Sequence, residues 1–411
     1  MSYTGKVISG DCHVDIPWLP SDLFTSNAPA HLKDRMPHVK DTDAGEQWFA
    51  GDRQLGCVGG AGIGLDTKLF WDPYVPGVST RLDRMEEMNF FTDAKAGMFH
   101  PTTPELRIKD QDTDGIKGEV LYGVLALASG FGSTQGEEGA VVGGDEPSGP
   151  GYGLTDPEAI LAVFDIYNQY ISDFCNTHPE RLAALGCLFA RDPGEAARQV
   201  HRAAEMGLKG TELNVSSTEE PIYLRDWDPL WAAVDQSGLP ISFHTVGLAP
   251  KAPQRDTTAA EKAVMTGVSL TVFQLSGAEF VSSIILSGAC ERYPNMKFVL
   301  GECGIGWLPY VLFRMDDEAE RWKIAEHGLK LKPSEYWRRQ GYSTFQIEYL
   351  TNEMVDLVGE DNIIWGSDYP HPDCVWPDSR SVIDENLGHL DESKLKKIVC
   401  DNTARLYGFP N

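Results

Sequence analysis

Two short segments near opposite ends of the chain carry residue types that bind metals and move protons. Lys6-Val7-Ile8-Ser9-Gly10-Asp11-Cys12-His13 ends an apolar start in an Asp-x-His pair. Ile363-Ile364-Trp365-Gly366-Ser367-Asp368-Tyr369-Pro370-His371 is an apolar run broken by an aspartate and a proline turn. Carboxylate oxygen and imidazole nitrogen suit divalent first-row ions, and a carboxylate beside such an ion can also relay a proton. Glu212, His244 and Glu302 stand at the ends of three further apolar segments. Taken singly, a strand-end carboxylate more often caps a helix or pairs with a cation. Ionisable groups converging on one rim from several strands repel one another unless a cation or protons compensate, so together they point to a metal.

Convergence of this kind needs a fold that brings strand ends to one place. Eight short apolar segments bounded mostly by Gly, Pro, Asp or Asn are expected as strands: 7–10, 119–125, 182–189, 208–215, 239–244, 297–302, 344–347 and 363–366. Helices are expected between them at 156–178, 192–206, 227–237 and 280–293. Strand and helix alternating in this way predict an α/β (β/α)8 TIM barrel, whose active sites lie at the C-terminal ends of the strands. A doubly wound sheet would need a glycine-rich phosphate loop after the first strand, and Gly10-Asp11-Cys12-His13 is not one. The whole chain, 1–411, is read as one domain with insertions over the barrel mouth at about 17–104, 130–153 and 249–266.

Composition narrows the function further. With 411 residues and 42% hydrophobic content the chain can bury a large core. A formal charge of −26 argues against a nucleic-acid partner, which needs clustered Lys and Arg. Eight scattered cysteines without a C-x-x-C pair suggest a reducing compartment. No secretory leader and no uninterrupted apolar run of membrane-spanning length is evident, so a cytoplasmic location and no membrane partner are expected. The glycine run 59–64 and Gly304-x-Gly306 lack the strand and helix context of a phosphate cradle, and no Gly-x-Ser-x-Gly elbow supports a serine nucleophile. Cys12 and Cys303, one step from proposed ligands, should point to the opposite strand face and be core.

Several of these segments resemble the amidohydrolase-related proteins of the amidohydrolase 2 branch. The resemblance is carried by the Asp-x-His pair, Phe243-His244-Thr245, Gly301-Glu302-Cys303-Gly304-Ile305-Gly306-Trp307-Leu308-Pro309-Tyr310 and Trp365-Gly366-Ser367-Asp368-Tyr369-Pro370-His371. It is supported by Lys109-Asp110-Gln111-Asp112-Thr113-Asp114-Gly115-Ile116 and Asn176-Thr177-His178-Pro179-Glu180-Arg181-Leu182. That branch includes aminocarboxymuconate-semialdehyde decarboxylase, resorcylate-type decarboxylases and zinc-dependent hydrolases of ring-cleavage products. The resemblance implies Asp11, His13, His244 and Asp368 as metal ligands; relatives with His-x-His on strand one leave Asp15 as the alternative to Asp11. Decarboxylase members carry a catalytic histidine where this chain has Glu302, a departure that counts against decarboxylation.

The expectation is a metal-dependent hydrolase or lyase, holding zinc or manganese and acting on a small carboxylated or phenolic compound through metal-activated water. Asp368 would orient or deprotonate that water, and Glu302 or His371 would move protons. Trp48, Phe49, Phe70 and Trp71 would wall the pocket unless they are plain core. A second expectation adds Glu212 and Glu302 as carboxylate ligands, giving a dinuclear iron or manganese oxygenase. A third is a metal-free subunit serving an active partner. Homo- or hetero-oligomers are expected, with Trp307, Tyr310 and Phe313 facing another subunit.

Overall fold

The structure, a computed structural model, describes residues 3–60, 74–77, 79–128, 154, 156–213, 215, 218, 220–244, 255 and 257–410. Its centre is a sheet of eight parallel strands: β1 (Ser9–His13), β5 (Glu119–Tyr122), β6 (Leu182–Leu188), β7 (Gly210–Leu213), β8 (Ile241–His244), β9 (Phe298–Gly301), β10 (Gly341–Phe345) and β11 (Ile363–Trp365), in that order. The first and last strands meet where the N–H of Asp368 donates to the Asp11 carbonyl at 2.9 Å and that of His13 to the Tyr369 carbonyl at 2.7 Å. The sheet thus forms a nearly closed (β/α)8 barrel. Its strands are short aliphatic runs buried on both faces, as parallel strands covered by helices must be.

Each expected strand is present, with shifted ends. β1 starts later and runs through His13, so Asp11 and His13 lie within it; a register irregularity between Ser9 and Cys12 accompanies the shift. β10 starts at Gly341, which packs so closely on Trp337 that a Cβ would come within 2.4 Å of the indole. The helices are seeded by side-chain caps. Asp156 accepts from Glu158 N–H ahead of Pro157–Cys175, and Asp192 from Glu195 N–H ahead of Pro193–Glu205. The helix expected over 280–293 instead spans Gly277–Leu286 and restarts as Ala289–Arg292.

The stretch Ala263–Leu286 is long and apolar enough, by length and composition, to cross a membrane. A 3-10 turn at Phe273–Ser276 interrupts it, and Phe280, Val281, Ile284 and Ile285 in its second half are buried in the barrel's core.

Within the first insertion the chain forms an antiparallel sheet of β2 (His38–Thr42), β3 (Gly45–Ala50) and β4 (Arg53–Cys57). Trp48 is fully buried there against Phe24, with ring centroids 6.1 Å apart, so it is core of the insertion rather than pocket wall. Phe49 instead lies beside His38 and under the Lys40 ammonium. Phe70, Trp71, most of the glycine run 59–64, all of the segment 130–153 and part of 249–266 fall outside the described residues. Cys12 and Cys303 are both fully buried, and none of the eight cysteines forms a disulfide.

Candidate metal centre

β1 contributes two side chains to the barrel's interior, because residues two apart on a strand share a face. Asp11 Oδ1 lies 3.5 Å from His13 Nε2 and 3.6 Å from His244 Nε2, the latter at the end of β8. Asp368, three residues beyond β11, brings its Oδ1 to 3.0 Å from His13 Nε2. Potential ligand atoms of Asp11, His13 and His244 lie within 4.8 Å of one another, and His13, Asp368 and His371 form a second such group through His13. Gly366 makes the approach possible, since a Cβ there would sit 2.5 Å from that of Asp11.

Asp11 Oδ1, His13 Nε2 and Asp368 Oδ1 are buried and make no hydrogen bond. These atoms face one another as charge pairs without a hydrogen bond, which is costly in a buried site and suits them to share a cation. Two imidazoles and two carboxylates form a mixed nitrogen and oxygen set that zinc or manganese accepts. The electrostatics agree. Burial and the His371 charge pull His13 toward its neutral form, yet Asp11 and Asp368 outweigh them and raise its pKa to about 9. Burial pushes Asp368 upward, but His371 and His13 hold it down at about 2. The negative field that would protonate His13 is the field a divalent ion would occupy.

The Asp11 carboxylate divides its oxygens. Oδ1 faces the imidazoles, while Oδ2 accepts the Glu302 N–H at 2.9 Å and the Thr344 hydroxyl at 2.5 Å. Asp15 takes a different part. Its Oδ2 holds His371 Nε2 at 2.9 Å, and His371 Nδ1 lies 3.1 Å from Asp368 Oδ1 while its ring stacks on that of His13, centroids 3.8 Å apart. Burial disfavours the charged form of His371, but Asp368 and Asp15 win and push its pKa well above the usual histidine value.

Glu302 directly follows β9, with its Oε2 3.8 Å from His244 Nε2. Burial, then the charges of Asp368 and Asp373, push its pKa well above the ordinary carboxylate range. Its ligand atoms group with those of Asp368 and Asp373, the last a residue that sequence reasoning missed although it stands two positions past His371.

Glu212, expected as an extra ligand, is turned to another task. Its Oε1 accepts the Gly123 N–H at 2.6 Å and the Cys187 thiol at 3.2 Å, and it belongs to none of the ligand groups among the described residues. Burial raises its pKa to about 7. One of its two oxygens is thus engaged by a backbone amide, and Glu212 does not join the other carboxylates in a ligand group among the described residues.

Three further residues support the centre and carry little signal in the sequence. The Tyr122 ring lies 5.7 Å from that of His13 and 5.0 Å from that of His244. Arg107, fully buried, donates to Glu119 at 2.7 Å and to the His13 carbonyl at 3.0 Å. Glu348 accepts the N–H groups of Ile305 and Gly306, so its own carboxylate fills the turn around Gly304-x-Gly306. Trp307 turns inward, donating to the Cys303 carbonyl at 2.6 Å, whereas Tyr310 and Phe313 are exposed.

The sequence model of a family described as amidohydrolase matches residues 145–409. The gamma-resorcylate decarboxylase of Polaromonas sp. (strain JS666 / ATCC BAA-500) is 25% identical over 256 residues, 58% of this chain and 74% of that protein. An amidohydrolase structure from Mycobacterium avium subsp. paratuberculosis K-10 covers 100% of this chain and 99% of its own, with TM-score 0.68 and 19% identity. The dihydroxybenzoic acid decarboxylase of Polaromonas sp. JS666, solved with bound manganese and the inhibitor 2-nitroresorcinol, has TM-score 0.55 at 19% identity, covering 79% of this chain and 92% of that one. At these identities the structural likenesses establish the fold.

Proposed function

Because the chain belongs to the amidohydrolase family, we propose that it is a divalent-metal-dependent lyase that removes the carboxyl group of a small phenolic or carboxylated aromatic compound. The observation that carries this reading is the convergence of buried Asp11 Oδ1, His13 Nε2 and Asp368 Oδ1, none of them hydrogen-bonded, beside His244. These four residues would hold the ion, zinc or manganese. Once bound, it supplies Lewis acidity and a point of attachment for a substrate carboxylate or phenolate. The relative named for resorcylate decarboxylation and the manganese-bound neighbour support the chemistry and the metal.

The chain's own residues then divide the work. Asp11 is fixed through Oδ2, so its other oxygen is presented in one orientation. Asp368, ionised at rest, relays a proton from His371 to the ring carbon as carbon dioxide leaves. His371, clamped between Asp15 and Asp368, replenishes that proton and fixes the carboxylate's direction.

A second reading, hydrolysis, is favoured by Glu302 standing where resembling decarboxylases carry a histidine. Metal-loaded protein incubated in parallel with hydroxylated benzoates and with their esters or lactones separates the two. Carbon dioxide released without solvent oxygen entering the organic product is expected for the lyase. Oxygen-18 taken from labelled water into the product, with no carbon dioxide, would replace it with the hydrolase.

A further inference from the structure

We infer that Asp110 is a positioning residue for the metal centre: through the Tyr369 hydroxyl it sets where Asp368 and His371 stand. The inference rests on Asp368 and His371 acting as proposed above. The helix Pro104–Asp114 links the first insertion to β5, and its buried residues are Arg107, Asp110, Gln111 and Asp114. Side chains of these types are seldom buried unless paired, and an ordinary amphipathic helix turns an apolar stripe inward. What this polar face grips accounts for it. Residues three and four apart share a helix face, and Arg107, Asp110 and Asp114 are so spaced. Arg107 donates to the His13 carbonyl at the end of β1, Asp110 accepts the Tyr369 hydroxyl at 2.6 Å, and Asp114 accepts the Ser379 N–H at 2.8 Å and its hydroxyl. One helix thus braces both chain segments that carry Asp11, His13 and Asp368.

Of these contacts, the one made by Asp110 is aimed at the site. Tyr369 directly follows Asp368, and its carbonyl accepts the His13 N–H at 2.7 Å. Its ring packs on Phe90 and Trp376, with the Arg107 guanidinium 5.1 Å from the ring centre. Such packing is weakly directional, whereas a hydrogen bond to a carboxylate fixes distance and angle. The loop needs that anchor, because Asp368 is held at φ +60°. Asp110 is itself fixed. Its Oδ2 also holds His100 Nδ1 at 2.8 Å, His100 Nε2 reaches Asp93 Oδ2 at 3.1 Å, and the Asp110 carbonyl accepts the Trp376 indole N–H at 3.3 Å. A neutral imidazole donates from one nitrogen only, so gripping both carboxylates takes the protonated ring. Burial opposes that charge, but Asp110 and Asp93 outweigh it and raise the His100 pKa. A chain from Asp93 through His100 and Asp110 to Tyr369 therefore ties the insertion to the loop after β11.

Manganese affinity of stripped, full-length protein, read by competition with a fluorescent chelator, tests the inference in Tyr369→Phe, Asp110→Asn and the double variant. Each single variant is expected to weaken binding by roughly 10-fold, the lower end of what contacts supporting a ligand contribute, and the double variant by no more than either single. In the manganese-loaded proteins kcat should fall alongside, with KM near the wild-type value. Thermal melting shows that each variant is folded, and Tyr369→Phe, which removes one oxygen, decides should Asp110→Asn not fold. Wild-type affinity and kcat in Tyr369→Phe, with only the melting temperature lowered, overturn the inference and leave the proposed function standing. Losses that add in the double variant also overturn it, because the two residues would then act apart. No manganese binding by the wild type overturns the proposed function, and this inference with it.

Discussion

The backbone N–H of Glu302 donates to Asp11 Oδ2 over 2.9 Å, tying the end of β9 to the middle of β1. The Asp11 carbonyl likewise accepts the N–H of Asp368, so one residue fixes the backbone of both strand ends. Glu302 and Asp368 share a further property, φ values of +52° and +60°, in the left-handed region that non-glycine residues seldom adopt. Holding each there costs on the order of 1 kcal/mol, offset by the hydrogen bonds to Asp11. The strain lies where two functional carboxylates must turn inward from their strands.

Thr344 is the hinge of this arrangement, since its hydroxyl donates to Asp11 Oδ2 and accepts the Glu302 N–H at 2.6 Å. Thr344→Val removes no ligand, yet it should weaken metal affinity by roughly 10- to 100-fold, the usual effect of losing a ligand's supporting hydrogen bond. Competition against a fluorescent chelator measures it. An unchanged affinity would mean that Asp11 needs no such support.

Asp11 and Asp15 should separate cleanly. Asp11→Asn should lose the metal, whereas Asp15→Asn should retain it and slow turnover by roughly 10²-fold or more, through loss of the clamp on His371. Elemental analysis alongside steady-state rates decides. Metal loss in Asp15→Asn with metal retained in Asp11→Asn would exchange their roles.

Arg107 is a stability prediction. Its guanidinium and Glu119 are an ion pair with almost no exposure, 2.7 Å apart. Arg107→Met strands the carboxylate and should cost about 3–5 kcal/mol in urea unfolding. Adding Glu119→Gln should recover part of that loss, and no recovery would show that the His13 and Pro101 carbonyls, also bonded to Arg107, dominate.

Asp114 gives a pH dependence away from the metal. Burial raises its pKa from 3.8 to about 7, against hydrogen bonds from Ser379. The folded state then binds this proton more tightly than the unfolded chain. Its contribution is full below pH 3.8 and is lost as pH rises through about 7, a penalty on the order of 4 kcal/mol at about 1.4 kcal/mol per unit. Between pH 5 and 8 the melting temperature of Asp114→Asn should therefore fall less than that of the wild type. Parallel curves would show that Asp114 stays ionised throughout.

The barrel was legible because each strand is an aliphatic run cut off by a turn residue, and the ligand-bearing residues lie at or just past those cuts. What was not legible depended on contacts distant in sequence. Asp11, His13 and Asp15 share one strand parity, so alternation alone could not choose between the aspartates. The choice follows from β1 ending at His13 and the chain turning into Ile16–Trp18. Glu212 had the right type and place for a ligand, but the Gly123 amide that takes it comes from another strand's end. The sheet β2–β4 escaped notice because His38-Val39-Lys40-Asp41-Thr42 lacks a clean apolar alternation.

The most direct measurement is carbon dioxide release from hydroxylated benzoates by one preparation, before and after removal of its metal. The account predicts no turnover in protein shown by elemental analysis to be metal-free, recovery on adding manganese, and no recovery in Asp368→Asn. Turnover at the original rate by the metal-free protein, or full activity in Asp368→Asn, would contradict it.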